Sequence, residues 1–156
     1  MAGSLIISYR ESDATAVAHQ LGDRLESLGY PCLLLSEDRG SGGRDYPAGR
    51  EDTIASVDGL VALIGPRWLV RYDERGRPGI HHRDDLTRKD IAVALHRDVP
   101  ILVVLAEGAK MPTPALLPAD LLLLAYQPAI ELADAQSDGD IDRLVAALQR
   151  LVPAGP

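Results

Sequence analysis

Ser4-Leu-Ile-Ile-Ser-Tyr-Arg-Glu-Ser-Asp13 is the stretch that decides the fold. An apolar run ends in Ser8, Tyr9 and Arg10, and a polar turn hands over to a helical pattern. A short, continuous apolar run of this kind suits a strand covered on both faces. A buried strand that delivers polar side chains at its carboxyl end is where open α/β sheets place a ligand.

The chain beyond it repeats the same grammar. Ser12 or Asp13 is placed to cap a helix, with Val17, Leu21, Leu25 and Leu28 at helical spacing and Gly29 as its stop. Cys32–Leu35 reads as a second strand, opening into the Gly-, Ser- and Asp-rich loop Ser36–Gly49, where Pro47 is expected to start a short helix to about Ser56. Gly59–Ile64 is a third strand, ended by Gly65-Pro66 and followed by the polar stretch Arg71–Asp85. Leu86–Arg97 reads as a helix with Ile91, Ala94 and Leu95 on its inner face, and Pro100–Leu105 as a fourth strand. Gly108–Pro118, with three prolines, is a loop, and Ala129–Leu132 a fifth strand. Ser137 or Asp138 caps a last helix with the stripe Ile141, Leu144, Val145, Leu148 and Leu151. Strands alternating with helices predict an α/β domain over residues 1–152, a five-stranded parallel sheet with helices on both faces, and a tail or linker start at 153–156.

Composition narrows the class. The 156 residues suit one domain with a proper core, and 46% hydrophobic against 25% charged residues is the balance of a soluble globular protein. There is no Phe and one Trp, so Leu, Ile, Val and Ala must fill the core. A formal net charge of −7 argues against a nucleic-acid partner, although local basic clusters can still hold one nucleotide. The single cysteine, Cys32, excludes an internal disulfide and reads as buried filler in Pro31-Cys-Leu-Leu-Leu35. The N-terminus lacks the layout of a signal peptide, and no apolar run is long enough to cross a bilayer. A cytoplasmic protein with no membrane partner is the expectation.

Several five-stranded α/β families are excluded by their missing motifs. No Gly-x-x-x-x-Gly-Lys-Ser/Thr occurs, and Gly40-Ser-Gly-Gly43 follows the second strand rather than the first, where a dinucleotide fingerprint would stand. Ser8-Tyr9-Arg10 does not offer the carboxylate cluster of a phospho-receiver. What remains resembles the Toll/interleukin receptor (TIR) domain of the bacterial type. Ile6-Ile-Ser-Tyr-Arg10 resembles its first motif, an apolar strand ending in Ser-Tyr. Gly29-Tyr-Pro-Cys-Leu33, Glu37-Asp-Arg39 and Asp45-Tyr-Pro-Ala-Gly49 are similar to its second strand and the loop after it, and Ile64-Gly-Pro-Arg-Trp-Leu69 to the exit of its third. The resemblance covers about residues 4–152, while the Phe-Trp pair of the family's third motif has no counterpart.

The resemblance implies a flavodoxin-like fold and one of two functions. Some TIR domains cleave NAD+ at the nicotinamide–ribose bond; others associate with like domains and pass on a signal. Cleavage builds positive charge on the ribose carbon while nicotinamide leaves as a neutral group, so a carboxylate beside the ribose is the group the chemistry needs. In catalytic members this is a glutamate on the helix after the third strand, often with a tryptophan four residues earlier. The matching positions here are Asp90 and Leu86. Asp90 keeps the charge but withdraws it by about 1.5 Å, one C–C bond, and a misplacement of about 1 Å can cost on the order of a hundredfold in rate. Leu86 keeps an apolar surface without the aromatic face. Asp90 reads equally well as a solvated flank residue, and Asp84 or Asp85 as the cap of that helix.

Other positions carry paired readings. Ser8, Tyr9 and Arg10 form a ligand wall, with Arg10 meeting a phosphate or carboxylate, or else a turn cap and a structural ion pair. Trp68 stacks on a ligand ring or covers the core edge; Asp38 and Asp45 bind a ribose or partner arginine, or are solvated loop charges. His81-His82 beside Asp84 and Asp85 lacks a second ligand set, so no metal is expected. Arg67, Arg71, Arg75, Arg77 and Arg83 make the third-strand exit basic, a docking face for the acidic Glu37-Asp38 of another copy or an ordinary mixed surface. The resulting expectation is a signalling domain that self-associates with other TIR domains, has a nucleotide-sized cleft at the sheet's carboxyl edge and needs no cofactor. The alternative is an NAD+ glycohydrolase using Asp90, with NAD+ as substrate.

Overall fold

The computed structural model describes residues 3–36, 49–69 and 79–152. Among these, five strands form one parallel sheet in the order β2-β1-β3-β4-β5. The strands are β1 (Leu5–Ser8), β2 (Cys32–Leu35), β3 (Gly59–Ile64), β4 (Ile101–Ala106) and β5 (Ala129–Leu132). The helices are α1 (Glu11–Ser27), α2 (Arg50–Ser56), α3 (Leu86–His96) and α4 (Asp138–Leu151). The fold is therefore α/β and doubly wound, in the flavodoxin-like strand order whose switch point lies between β1 and β3. Ser8 stands at that point, in register with Leu35 of β2 and Ala62 of β3.

Strict alternation along the strands builds two cores. Leu5, Ile7, Val61, Leu63, Leu102 and Val104 pack with α1 and α4. Ile6, Leu60, Ala62, Ile64, Ile101 and Val103 pack on the opposite side with residues of α2, α3 and the segment after β4. Both sides of β1, β3 and β4 are buried throughout, as their continuous apolar sequences demand. The edge strands are only partly covered: β2 carries Leu33 at 45% exposure, and Cys32 is half-buried rather than core filler.

Local signals explain most boundaries. Gly29 adopts φ +94°, a left-handed turn that stops α1 at glycine's low cost. Asp85 caps α3 by accepting from the Arg88 N–H, and Ser137 caps α4 by accepting from the Asp140 N–H. Two expectations fail. Asp13 does not cap α1: it accepts from the Gly65 and Arg67 N–H groups at 2.8 and 2.7 Å, tying the helix start to the exit of β3. Leu28, placed on the inner stripe of α1 by spacing, is 49% exposed, while Ala14, Ala18 and Gly22 complete the buried face. The apolar run before β5 is a 3-10 helix, Ala119–Tyr126, which packs Leu121 and Leu124 inward and leaves Leu122, Leu123 and Tyr126 exposed. Pro47, the expected start of α2, lies outside the described residues. Among the described residues no helix is long and apolar enough to cross a membrane.

Candidate functional site at the carboxyl edge of the sheet

Alternation divides the motif at the end of β1. Tyr9 continues the row of Leu5 and Ile7 and joins the α1–α4 core, with its ring edge-on to His19 at 6.4 Å between centroids. Ser8 continues the row of Ile6, and Arg10 follows in extended backbone, so both belong to the α2–α3 side. The expected wall of three residues is thus split between the two faces of the sheet.

Arg10 is fully buried. Its guanidinium makes a two-pronged pair with Asp85, at 2.9 and 2.7 Å, and stands 5.5 Å from the centre of the buried Trp68 ring. The planar fork matches a carboxylate, and the aromatic face favours the cation. Asp85 thereby does two things: it caps α3, and it fastens the start of that helix to the end of β1.

One turn later, Thr87, Asp90, Ile91 and Ala94 form the inner face of α3. Asp90 is 0% exposed. It does not point to solvent; on the same helix Arg88 turns to Asp120 and the His81 carbonyl, and Lys89 reaches Asp84. Asp90 pairs with Arg50, the first residue of α2, which meets the two carboxylate oxygens at 2.8 and 2.5 Å and donates to the Ser36 carbonyl at 2.6 Å. Arg50 therefore links the exit of β2, the start of α2 and the inner face of α3. Leu86 is buried on the first turn of α3. Asp38 and Asp45 lie outside the described residues, as do Arg71, Arg75 and Arg77 of the basic cluster, whose Arg67 and Arg83 are exposed.

Ser8, Arg10, Trp68, Leu86 and Asp90 are thus gathered on the α3-covered side of the switch point. Sequence reasoning missed Arg50 and Thr87 and gave Asp85 only its capping role. A signal for Arg50 exists: a cation in the first turn of a helix opposes the helix dipole and calls for a specific anionic partner. Among the described residues, Ser8 Oγ, Arg10 Nε and Thr87 Oγ1 are buried without a hydrogen-bond partner. Orphaned polar atoms of this kind each cost about 1–3 kcal/mol and mark a place that a ligand or a rearrangement can satisfy. Two other features lie elsewhere. A cavity of about 460 Å³ opens at the ends of β4 and β5, between Leu105, Lys110, Met111, Glu131 and Leu132. His81 meets the Leu116 carbonyl, His82 accepts from the Asp84 N–H, and among the described residues no three metal-ligating side chains gather.

No family model matches the sequence, and no curated protein matches it. Solved structures do resemble it in shape. A flavoenzyme NAD(P)H:(acceptor) oxidoreductase, FerB from Paracoccus denitrificans, aligns with 96% of this chain and 99% of its own at 13% identity and a TM-score of 0.46. A flavodoxin from Streptococcus pneumoniae aligns over 95% of both chains at 13% identity and a TM-score of 0.43. The TIR domains of the activated Roq1 resistosome, which directly recognizes the pathogen effector XopQ, align over 94% of this chain and 99% of theirs, at 10% identity and a TM-score of 0.61. That last likeness covers nearly the whole chain, and the chain has the fold of a TIR domain.

Proposed function

We propose that this chain is a TIR-type signalling domain that acts by associating with like domains, and that its carboxyl-edge residues serve as a switching site rather than as a working NAD+ glycohydrolase. The observation that carries the choice is the engagement of Asp90. A carboxylate that stabilises an oxocarbenium-like ribose must face it with its charge uncompensated. Both oxygens of Asp90 are instead held by the Arg50 fork in a fully buried pair.

Two further features support association. Leu116, Leu122, Leu123 and Tyr126 expose apolar surface along the segment between β4 and β5, at 45%, 40%, 60% and 72%. The TIR domains of similar fold belong to an activated resistosome. The second reading, NAD+ cleavage by Asp90, draws on one observation: the residue lies at the switch point with Ser8, Arg10 and Trp68 on the same face.

Light scattering over a wide concentration range and an assay of nicotinamide release from NAD+ test both readings. The expected results are concentration-dependent oligomers that are lost in Leu123→Asp/Tyr126→Asp, and no nicotinamide from the wild type. A monomer at every concentration refutes association. Nicotinamide release that vanishes in Asp90→Ala makes the chain an enzyme.

A further inference from the structure

The outer edge of β2 is built differently from the opposite edge of the sheet. Leu5 and Tyr9, in and just after β1, donate to the Pro31 and Leu35 carbonyls at 2.8 and 3.1 Å. In a parallel ladder the N–H and C=O of one residue point to the same side, and successive residues alternate. Leu33 therefore also turns its backbone to β1, and Cys32 and Leu34 turn theirs outward. Among the described residues nothing meets the Leu34 N–H, the Leu34 carbonyl or the Cys32 carbonyl. The Cys32 N–H has the exposed carboxylate of Glu26, at a long 3.4 Å. Between these groups the Leu33 side chain is 45% exposed, on the side of the sheet that Ile6 shares with α2 and α3.

Edge strands are ordinarily guarded against pairing by a charge, a proline or a bulge. β5, at the opposite edge, carries the exposed Glu131 in mid-strand. β2 is Cys-Leu-Leu-Leu and carries no charge of its own. Glu26, from the last turn of α1, covers its first donor and leaves the other outward groups open.

We propose that the β2 edge pairs, antiparallel, with the β2 edge of a second copy of this chain, so that one sheet runs through both. The outward groups are self-complementary about Leu33, and that symmetry is what selects a second copy. With Leu33 opposite its own counterpart, the Leu34 N–H donates to the Cys32 carbonyl of the second copy. The Cys32 N–H leaves Glu26 for the Leu34 carbonyl of the second copy. The two Leu33 side chains then face each other across a pair without hydrogen bonds, the arrangement that brings side chains closest. So small a contact does not hold two free chains together. The pairing rests on the association proposed above: the Leu123–Tyr126 face makes the first contact, and β2 carries the assembly beyond a pair.

Light scattering and hydrogen exchange read by mass spectrometry, on the whole chain over a wide concentration range, test this. The wild type should pass from single chains to assemblies larger than a pair. Leu33→Lys sets like charges against each other at the axis and should stop at the pair, with a native circular dichroism spectrum. Glu26→Ala removes the competitor for the Cys32 N–H on both sides of the contact and should reach the larger assemblies at about tenfold lower concentration. In the wild type the Cys32 and Leu34 amides should exchange quickly in the single chain and slowly in the assembly. A Leu33→Lys chain that assembles as the wild type does overturns the pairing, and so do Cys32 and Leu34 amides whose exchange ignores concentration. Should Leu33→Lys fail to fold, the wild-type exchange decides alone. A wild type that stays monomeric overturns association and pairing together, whereas pairs that never grow overturn the pairing alone, so the two failures are distinguishable.

Discussion

Arg10 shows how one side chain can serve the fold and the site together. It is buried without exposure, paired at two points with Asp85 and set against Trp68. Removing one partner of such a pair strands the other, a loss of about 3–5 kcal/mol. Urea unfolding should show Arg10→Ala losing that amount, and Arg10→Lys losing most of it because an ammonium cannot fork. A loss below about 1 kcal/mol, the worth of a surface pair, would mean that the pair is solvated in practice. Cys32 gives a second expectation. Burial, reinforced by Glu26, pushes its thiol up to about 12. Roughly one molecule in ten thousand then carries the thiolate at pH 8, so iodoacetamide should label the native chain far more slowly than the unfolded one. Equal rates would refute the buried environment. At this scale the sequence placed Ser8, Arg10, Trp68, Leu86 and Asp90 at one edge, because strand ends and helical spacing are local properties. It could not see that Asp90 belongs to Arg50, forty residues away, since that contact exists only once α2 and α3 pack together.

Elements are joined by side chains that leave their own segment. Asp13, in the first turn of α1, spends its carboxylate on the N–H groups of Gly65 and Arg67, and nearby Ala14 departs from helical geometry at φ −142°, ψ 30°. A Cβ at Gly65 would stand 2.5 Å from Asp13 Oδ1. Gly65→Ala must therefore push that carboxylate off its donors, at about 1–3 kcal/mol, measurable by urea unfolding. A neutral result would show that the junction tolerates a shift. At the other end of the chain, the N–H of Asp134 donates to Asp140 in the first turn of α4 and holds its carboxyl below the ordinary 3.8, against the opposing effect of burial and with help from Arg143. The folded value lies below the unfolded one, so this contribution is present above about pH 4 and lost as pH falls through the folded value. Asp140→Asn should be less stable than wild type at neutral pH, and the gap should close in acid. A gap constant with pH would mean that charge plays no part. The 3-10 helix Ala119–Tyr126 escaped the sequence reading for a physical reason: its run of four leucines has neither a period of two nor one of 3.6.

Across the whole molecule, one sheet separates two cores, and the central strands were the most legible part of the chain because burial on both faces leaves near-continuous apolar sequence. The edge strands are less covered, with half-buried and exposed positions in β2 and a single buried residue, Leu132, in β5, yet their bounds, Cys32–Leu35 and Ala129–Leu132, were readable from the breaks that flank them. The same difference sets an order of local stability. Amides of β1, β3 and β4 lie under both cores and should exchange with solvent only on global unfolding, whereas those of β2 and β5 should open in smaller steps. Hydrogen exchange by NMR reads this directly. Along β4, Leu102, Val103 and Val104 should share one opening free energy, equal to that from urea unfolding. Leu33 and Leu34 of β2 should exchange faster, because one side of their strand has no neighbour among the described residues. If β2 were instead as protected as β4, something must cover its edge in solution, and a second copy of the chain would be the first partner to test. Dilution would then distinguish the two cases, since protection supplied by another copy falls with concentration while protection within one chain does not.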